Sequence, residues 1–166
     1  MLVIGIDPGT ATTGYGLIRD SEGGDLVVVD YGVITTPAGM AMPERLLELH
    51  RQLSEILLLH RPQTGAVEKL FFQRNVTTAI SVGQARGVAM LALAQAGVTV
   101  GEYTPLEVKQ AVAGYGGADK YQVQQMVTAL LGLPEVPRPD DAADALAVAI
   151  CHLHSARIRN LYENSS

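Results

Sequence analysis

Four carboxylates stand where an acid gains a purely structural chain little. Asp7 ends the apolar run Leu2 to Ile6, Glu68 ends the short run Gly65-Ala66-Val67, and Asp141 and Asp144 open the last apolar-periodic segment. Residues three apart share a helix face, so Asp141 and Asp144 can point at one centre. If the first and fourth strands are neighbours, Asp7 and Glu68 leave the sheet at the same end, and the last helix can complete a cluster there. Like charges so close would take up protons unless a cation holds them. Hard oxygen donors without accompanying cysteines suit Mg²⁺ or Mn²⁺. Two such ions about 3.5–4 Å apart activate a water and stabilise the leaving oxygen in phosphodiester hydrolysis. Each acid also has an ordinary reading. Asp7-Pro8-Gly9 is turn chemistry, Asp141 and Asp144 suit the positive end of a helix, and Asp140 is the economical N-cap. Glu68 has no such excuse, and the set argues more strongly than any member.

The elements that must position these acids are legible as a coarse string. Leu2 to Ile6 is a buried strand stopped by Asp7-Pro8-Gly9-Thr10, and Gly14 to Ile18 and Leu26 to Ile34 follow as an antiparallel meander. Leucines at helical spacing from Pro43 to before Pro62 predict an amphipathic helix, and Thr64 to Glu68 a short strand. A helix near Val76 to Ala96 has the small residues Gly83, Ala85, Gly87 and Ala89, which would admit a second helix closely. Val98 to Val100 is read as a strand. Thr104-Pro105-Leu106-Glu107 is a capping box with proline at the first helical position, opening a helix to about Val112. Asp119 caps another to Leu131, and the last begins near Asp140. The order β-β-β-α-β-α-β-α-α-α fits a mixed sheet covered by helices on both faces.

With 166 residues, 48% apolar and 17% charged, the chain has the composition of one globular domain rather than a disordered one. Its single cysteine, Cys151, lies in an apolar run and reads as a small buried thiol. The N-terminus shows no basic leader, and no apolar run approaches the roughly 20 residues of a membrane span. A soluble, cytoplasmic protein is expected. The net charge of −5 argues naively against nucleic acid, but the three lysines, Lys69, Lys109 and Lys120, each lie beside a segment of functional appearance. Charge alone leaves the partner open.

Taken together, Ile4-Gly5-Ile6-Asp7-Pro8-Gly9-Thr10 with Thr13-Gly14-Tyr15-Gly16, Val67-Glu68, Gly83-Gln84-Ala85-Arg86-Gly87, Val108-Lys109-Gln110 and Asp141 to Ala147 resemble the RuvC family of bacterial Holliday junction resolvases. The resemblance spans nearly the whole chain. It implies a ribonuclease-H-like mixed five-stranded sheet flanked by helices, in a single domain over 1–158 with a short tail over 159–166. It further implies a homodimer and Mg²⁺-dependent paired cutting of four-way junction DNA, with two ions and Mn²⁺ as a substitute. The RuvA and RuvB branch-migration proteins are implied as partners. The family's acids fall on Asp7, Glu68, Asp141 and Asp144, its base-stacking aromatic on Phe71, and its DNA-binding lysines on Lys109 and Lys120. Arg74 is read as a further DNA contact. Asp140-Asp141 is doubled, and either can share a face with Asp144, although the family spacing favours Asp141. The tail lacks the basic extension that some members carry.

Asp7-Pro8-Gly9-Thr10 with Thr13-Gly14 also resembles the first phosphate loop of actin and sugar-kinase ATPases, although no second such loop follows. A non-catalytic DNA-binding relative is a third reading, disfavoured because four acids would repel phosphate. His50 and His60 are read as surface or packing residues, and His152 and His154 as a poor metal pair. Phe72 either supports Phe71 or stacks itself, and Tyr115 is either a DNA contact or tucked against the domain.

Overall fold

The computed structural model describes residues 1–69 and 75–164. Strands β1 (Leu2–Asp7), β2 (Thr12–Asp20) and β3 (Leu26–Thr35) form the antiparallel meander. Helix α1 (Met42–His60) leads to β4 (Thr64–Glu68), α2 (Val76–Gln95) to β5 (Thr99–Tyr103), and α3 (Pro105–Ala113), α4 (Lys120–Leu130) and α5 (Asp140–Glu163) complete the chain. The sheet order is β3-β2-β1-β4-β5, with β4 parallel to both β1 and β5.

Alternation along the strands divides the core in two. Ile4, Ile6, Leu17 and Val67 pack beneath α1 and α2, whereas Val3, Ile18 and Ala66 pack beneath α3, α4 and α5. The capping box at Thr104 and Glu107 forms as the sequence predicts. A second one joins Asp119 and Gln122 at the start of α4. At α5 the expectation fails, because Pro139 takes the N-cap position and Asp140 is the first helical residue. The Asp140 carboxylate is engaged by Lys120 at 3.3 Å and Gln124 at 3.2 Å. Residues 159–163, expected to begin a tail, continue this helix.

Three glycines decide how near α5 lies to the sheet. A Cβ on Gly14 would sit 1.9 Å from the Asp141 carbonyl oxygen, one on Gly5 2.2 Å from that of Ala145, and one on Gly16 2.7 Å from the Leu146 side chain. Gly5 pairs with Gly16, and Asp7 with Gly14, so these positions line one face of the β1–β2 ladder. The helix answers with Ala142, Ala145 and Ala149, all buried.

Farther along α5, the buried His152 ties two strands together. Its Nε2 lies 2.7 Å from the Thr64 hydroxyl and its Nδ1 2.8 Å from the Tyr103 hydroxyl. Thr64 spends its only proton on the Thr99 carbonyl, at 3.0 Å, so it must accept from Nε2–H and Tyr103 must donate to Nδ1. Burial holds this imidazole down at about 4, in the neutral state the chain of bonds requires.

Helix α2 is long and apolar enough by composition alone to cross a membrane, although Thr77, Thr78, Ser81, Gln84 and Arg86 interrupt its apolar residues. Dense alanine raises its hydropathy without any large aliphatic run. Its inner side, through Ala85, Ala89 and Leu93, is buried in the core. Gly14→Ala is expected to force the first turn of α5 outward, lowering stability by about 1–3 kcal/mol or more in thermal unfolding. Gly24→Ala, whose added Cβ would meet nothing within 4 Å, should cost only the strain of its positive φ.

Candidate active site

In the parallel β1–β4 ladder Ile6 lies opposite Val67, so the next residue of each strand, Asp7 and Glu68, emerges side by side. Both belong to the alternating set that faces α5, as Val3, Gly5 and Ala66 do. The close seat of α5 then brings Asp141 and Asp144 from its first turns onto the same corner.

The electrostatics show how tightly these groups are gathered. Burial, and then the charges of Asp144, Asp141 and Glu68, push the Asp7 carboxyl up to about 8, and a hydrogen bond to Asp141 favours its protonated form. Burial raises Glu68 as well, with Asp144 adding to the effect and Lys109 opposing it. Asp144 is raised by burial against the pull of Lys120, which stands 3.4 Å away. Asp140 lies outside this group, exposed and held low by its bond to Lys120. The two members of the doubled aspartate therefore face different neighbours, Asp141 meeting Asp7 and Asp140 meeting Lys120.

A cleft of about 240 Å³ opens between these acids and α3–α4, lined by Asp7, Glu68, Asp144, Lys109 and Lys120. A neighbouring hollow of about 360 Å³ continues past Glu68 to Lys69, Asn75 and Arg86. Among the described residues no three carboxylates stand in geometry to grip one ion together, since Asp144 leans on Lys120 and Asp7 on Asp141. The donor set nonetheless suits a hard divalent cation. It is all oxygen, partly desolvated and carries uncompensated negative charge, which a cation would relieve more fully than protonation of Asp7.

Lys109 and Lys120 thus flank the acids, as the sequence predicts. Phe71, Phe72 and Arg74 lie outside the described residues. Tyr115 is 48% exposed, and its hydroxyl donates to Gln122 in the first turn of α4 at 2.7 Å. His50 meets Gln95 at 2.6 Å, joining α1 to α2, and His60 meets Asp30 at 3.1 Å. Cys151 is buried, its thiol pushed up to about 12 by burial, as befits a packing residue. Sequence reasoning missed His152 as a buried strand clamp and gave Arg86 no role beyond its motif. The available signal for Arg86 was its being the single charge in the twenty residues of α2.

The turn after Asp7 is closed on itself. The buried Thr13 hydroxyl donates to the Gly9 carbonyl at 2.6 Å and accepts from the Gly9 N–H at 3.2 Å, so the O–H and N–H donors that a phosphate loop would offer to a nucleotide are used internally.

Sheet order and helices on both faces define a ribonuclease-H-like fold, in which acids gather at the ends of the first and fourth strands beside the start of α5. The family model for crossover junction endodeoxyribonuclease RuvC matches residues 3–152. The chain belongs to that family. It is 58% identical to the Syntrophomonas wolfei crossover junction endodeoxyribonuclease RuvC over 100% of this chain and 96% of that one. It is 63% identical to the Chloroflexus aurantiacus relative of the same name over 94% of each. Among solved structures, T. thermophilus RuvC in complex with Holliday junction substrate superposes with a TM-score of 0.87 at 38% identity, covering 95% of this chain and 96% of that one. The yeast mitochondrial Holliday junction resolvase Ydc2, at 14% identity and a TM-score of 0.66, shares the fold. The ATPase reading falls with this membership.

The raised Asp7 carboxyl has a definite sign in stability. Unfolded, it ionises near 3.8; folded, near 8. Between those values the folded state keeps a proton that the unfolded state has shed, so the ion-free protein loses stability as pH rises from about 4 to 8. In chelator, Asp7→Asn is expected to melt a few degrees above wild type at pH 8.5 and close to it at pH 5. Divalent cation should raise the melting temperature of wild type more than that of Asp7→Asn, as scanning calorimetry would read.

Proposed function

We propose that this protein is a structure-specific endodeoxyribonuclease that resolves four-way DNA junctions in recombination and repair by paired, metal-dependent phosphodiester hydrolysis. The observation that supports the reading is the convergence of Asp7, Glu68, Asp141 and Asp144 on one corner beside Lys109 and Lys120, in a chain of this family.

In this reading the four carboxylates hold Mg²⁺, as two ions, with Mn²⁺ able to substitute. Such ions would supply a water of lowered pKa for attack and charge to neutralise the leaving oxygen. The protein's own residues do the rest. Asp7 and Glu68 are fixed by adjoining strands, so their spacing is set by the sheet rather than by mobile loops. Lys109 and Lys120 put positive charge on the far wall of the cleft, where the phosphate backbone would approach acids that otherwise repel it. Lys120, now paired with Asp140 and Asp144, would be able to turn to phosphate and leave Asp144 free to help hold a cation. By sequence position, Phe71 is assigned to stack on a base beside the cut, and Arg74 to a phosphate.

One chain offers one acidic centre, and paired cutting takes two. A homodimer supplies them through twofold symmetry. Val76, Ile80 and Leu91 form an exposed apolar stripe on α2, and at Gly87 an added Cβ would meet nothing within 4 Å. This is the face assigned to the partner copy, and it also accounts for apolar residues on α2 that the core does not use. The reading places the protein in the cytoplasm, working with RuvA and RuvB on junctions, as one nuclease domain.

The test is a series of amides. Asp7→Asn, Glu68→Gln, Asp141→Asn and Asp144→Asn should each lower junction cleavage by about a hundredfold or more while binding junction as wild type does, and Asp140→Asn should cut nearly normally. Wild-type cutting by all four would refute the mechanism. A monomer in sedimentation at assay concentration, with paired cuts preserved, would refute the dimer.

A further inference from the structure

Glu68 is the last residue of β4, and after Lys69 the chain leaves the sheet. Its side chain faces α5, yet the helix on the opposite face also holds it. Arg86 of α2 donates from Nε to the Glu68 carbonyl at 3.4 Å, and its terminal nitrogen pairs with Glu102 of β5. Glu102 lies opposite Val67 and precedes Tyr103, the residue opposite Glu68. On that side the ladder runs one step farther, with the Lys69 N–H donating to the Tyr103 carbonyl at 2.7 Å.

Toward β1 the situation differs. Gly5 lies opposite Ala66 and Ile6 opposite Val67, so in this parallel register the β1 residue whose N–H would serve the Glu68 carbonyl is Pro8. Proline has no N–H. The sharp turn after Asp7 therefore removes the ladder donor that its neighbouring acid's backbone would have used, and the guanidinium stands in its place. A guanidinium suits this position because its donors form a rigid planar fork, able to hold the carbonyl and the Glu102 carboxylate at once. The Arg86 side chain is 19% exposed and that of Glu102 40%, so the guanidinium lies between the sheet and the surface with Glu102 at its outer end.

We propose that Arg86 is a positioning residue for the reaction: with Glu102 as its anchor, it fixes the backbone of Glu68 and so the aim of that carboxylate toward Asp7 and Asp144. The inference rests on the assignment of Glu68 to the catalytic centre. A competing role is available to any arginine beside such a cleft, namely direct contact with a DNA phosphate, and the two roles respond differently to substitution.

Three variants separate them: Arg86→Lys, which keeps the charge but not the fork, Glu102→Ala, which removes the anchor on an exposed edge strand, and Glu68→Gln as the reference. Junction affinity is measured in chelator across a salt series, and single-turnover cleavage across a Mg²⁺ titration, both per folded molecule. Positioning predicts that Arg86→Lys binds junction within about twofold of wild type with an unchanged salt slope, yet cuts about ten- to a hundredfold more slowly, with its Mg²⁺ midpoint raised. Glu102→Ala should move in the same direction by less. Phosphate contact predicts the reverse pattern, in which Arg86→Lys cuts normally and Glu102→Ala, by freeing the guanidinium, binds junction more tightly; that result would overturn the proposal. Cleavage by Glu68→Gln at the wild-type rate would remove Glu68 from the centre and the inference with it. A silent Glu68→Gln beside a fully active Arg86→Lys would overturn the inference alone.

Discussion

The seat of α5 on the β1–β2 ladder is the contact on which the other features depend. Helix and sheet approach closely only because Gly5, Gly14 and Gly16 present hydrogen where any other residue presents carbon, and because Ala142, Ala145 and Ala149 meet them. Two of the four acids travel on that helix, so the same packing that fills the core also sets the distance between strand-borne and helix-borne carboxylates. The glycines are sited at the active end, opposite the first three turns of α5. At the other end His152 takes over with directed hydrogen bonds to β4 and β5. The helix is thus located by shape near the acids and by polar pairing farther along.

The cost of that arrangement is concentrated charge. Asp7, Glu68 and Asp144 all resist ionisation because they are partly desolvated among other acids. A chain selected for stability alone would place apolar side chains or amides there. Lys120 gives partial relief to Asp144, and Lys109 to Glu68, but both lysines stand across a cleft rather than within a closed core. The compensation is incomplete at Asp7, the most strongly perturbed of the three. Rigid strands hold the repelling groups, while movable side chains shield their outer members.

Much of this was legible in the residue order. The meander, the capping box at Thr104 and the Asp119 cap are local features, and local chemistry specifies them. Asp7 and Glu68 could be suspected because each ends an apolar run. The sequence was less informative where distant segments decide the outcome. Asp140 looked like an N-cap because its neighbours permit one, but Lys120, twenty residues earlier, engages its carboxylate, and Pro139 occupies the cap. His152 lies in an alanine-rich helix that gives no hint of Thr64 or Tyr103, since those partners come from two other strands. The apolar composition of α2 failed to disclose its division into a buried alanine side and an outward Val76-Ile80-Leu91 side, because alanine and glycine blur the helical period.

The lone cysteine carries a different kind of consequence. Cys151 sits beneath α3, with its Sγ donating to the Glu107 carbonyl at 3.7 Å, and its thiol is held far from ionisation. Thiolate is the reactive form, so burial of this thiol is expected to make it slow toward alkylating reagents while the fold is intact. Any cysteine introduced elsewhere on the surface, for a fluorophore or a cross-linker, would be modified against an almost empty background without first removing a native one.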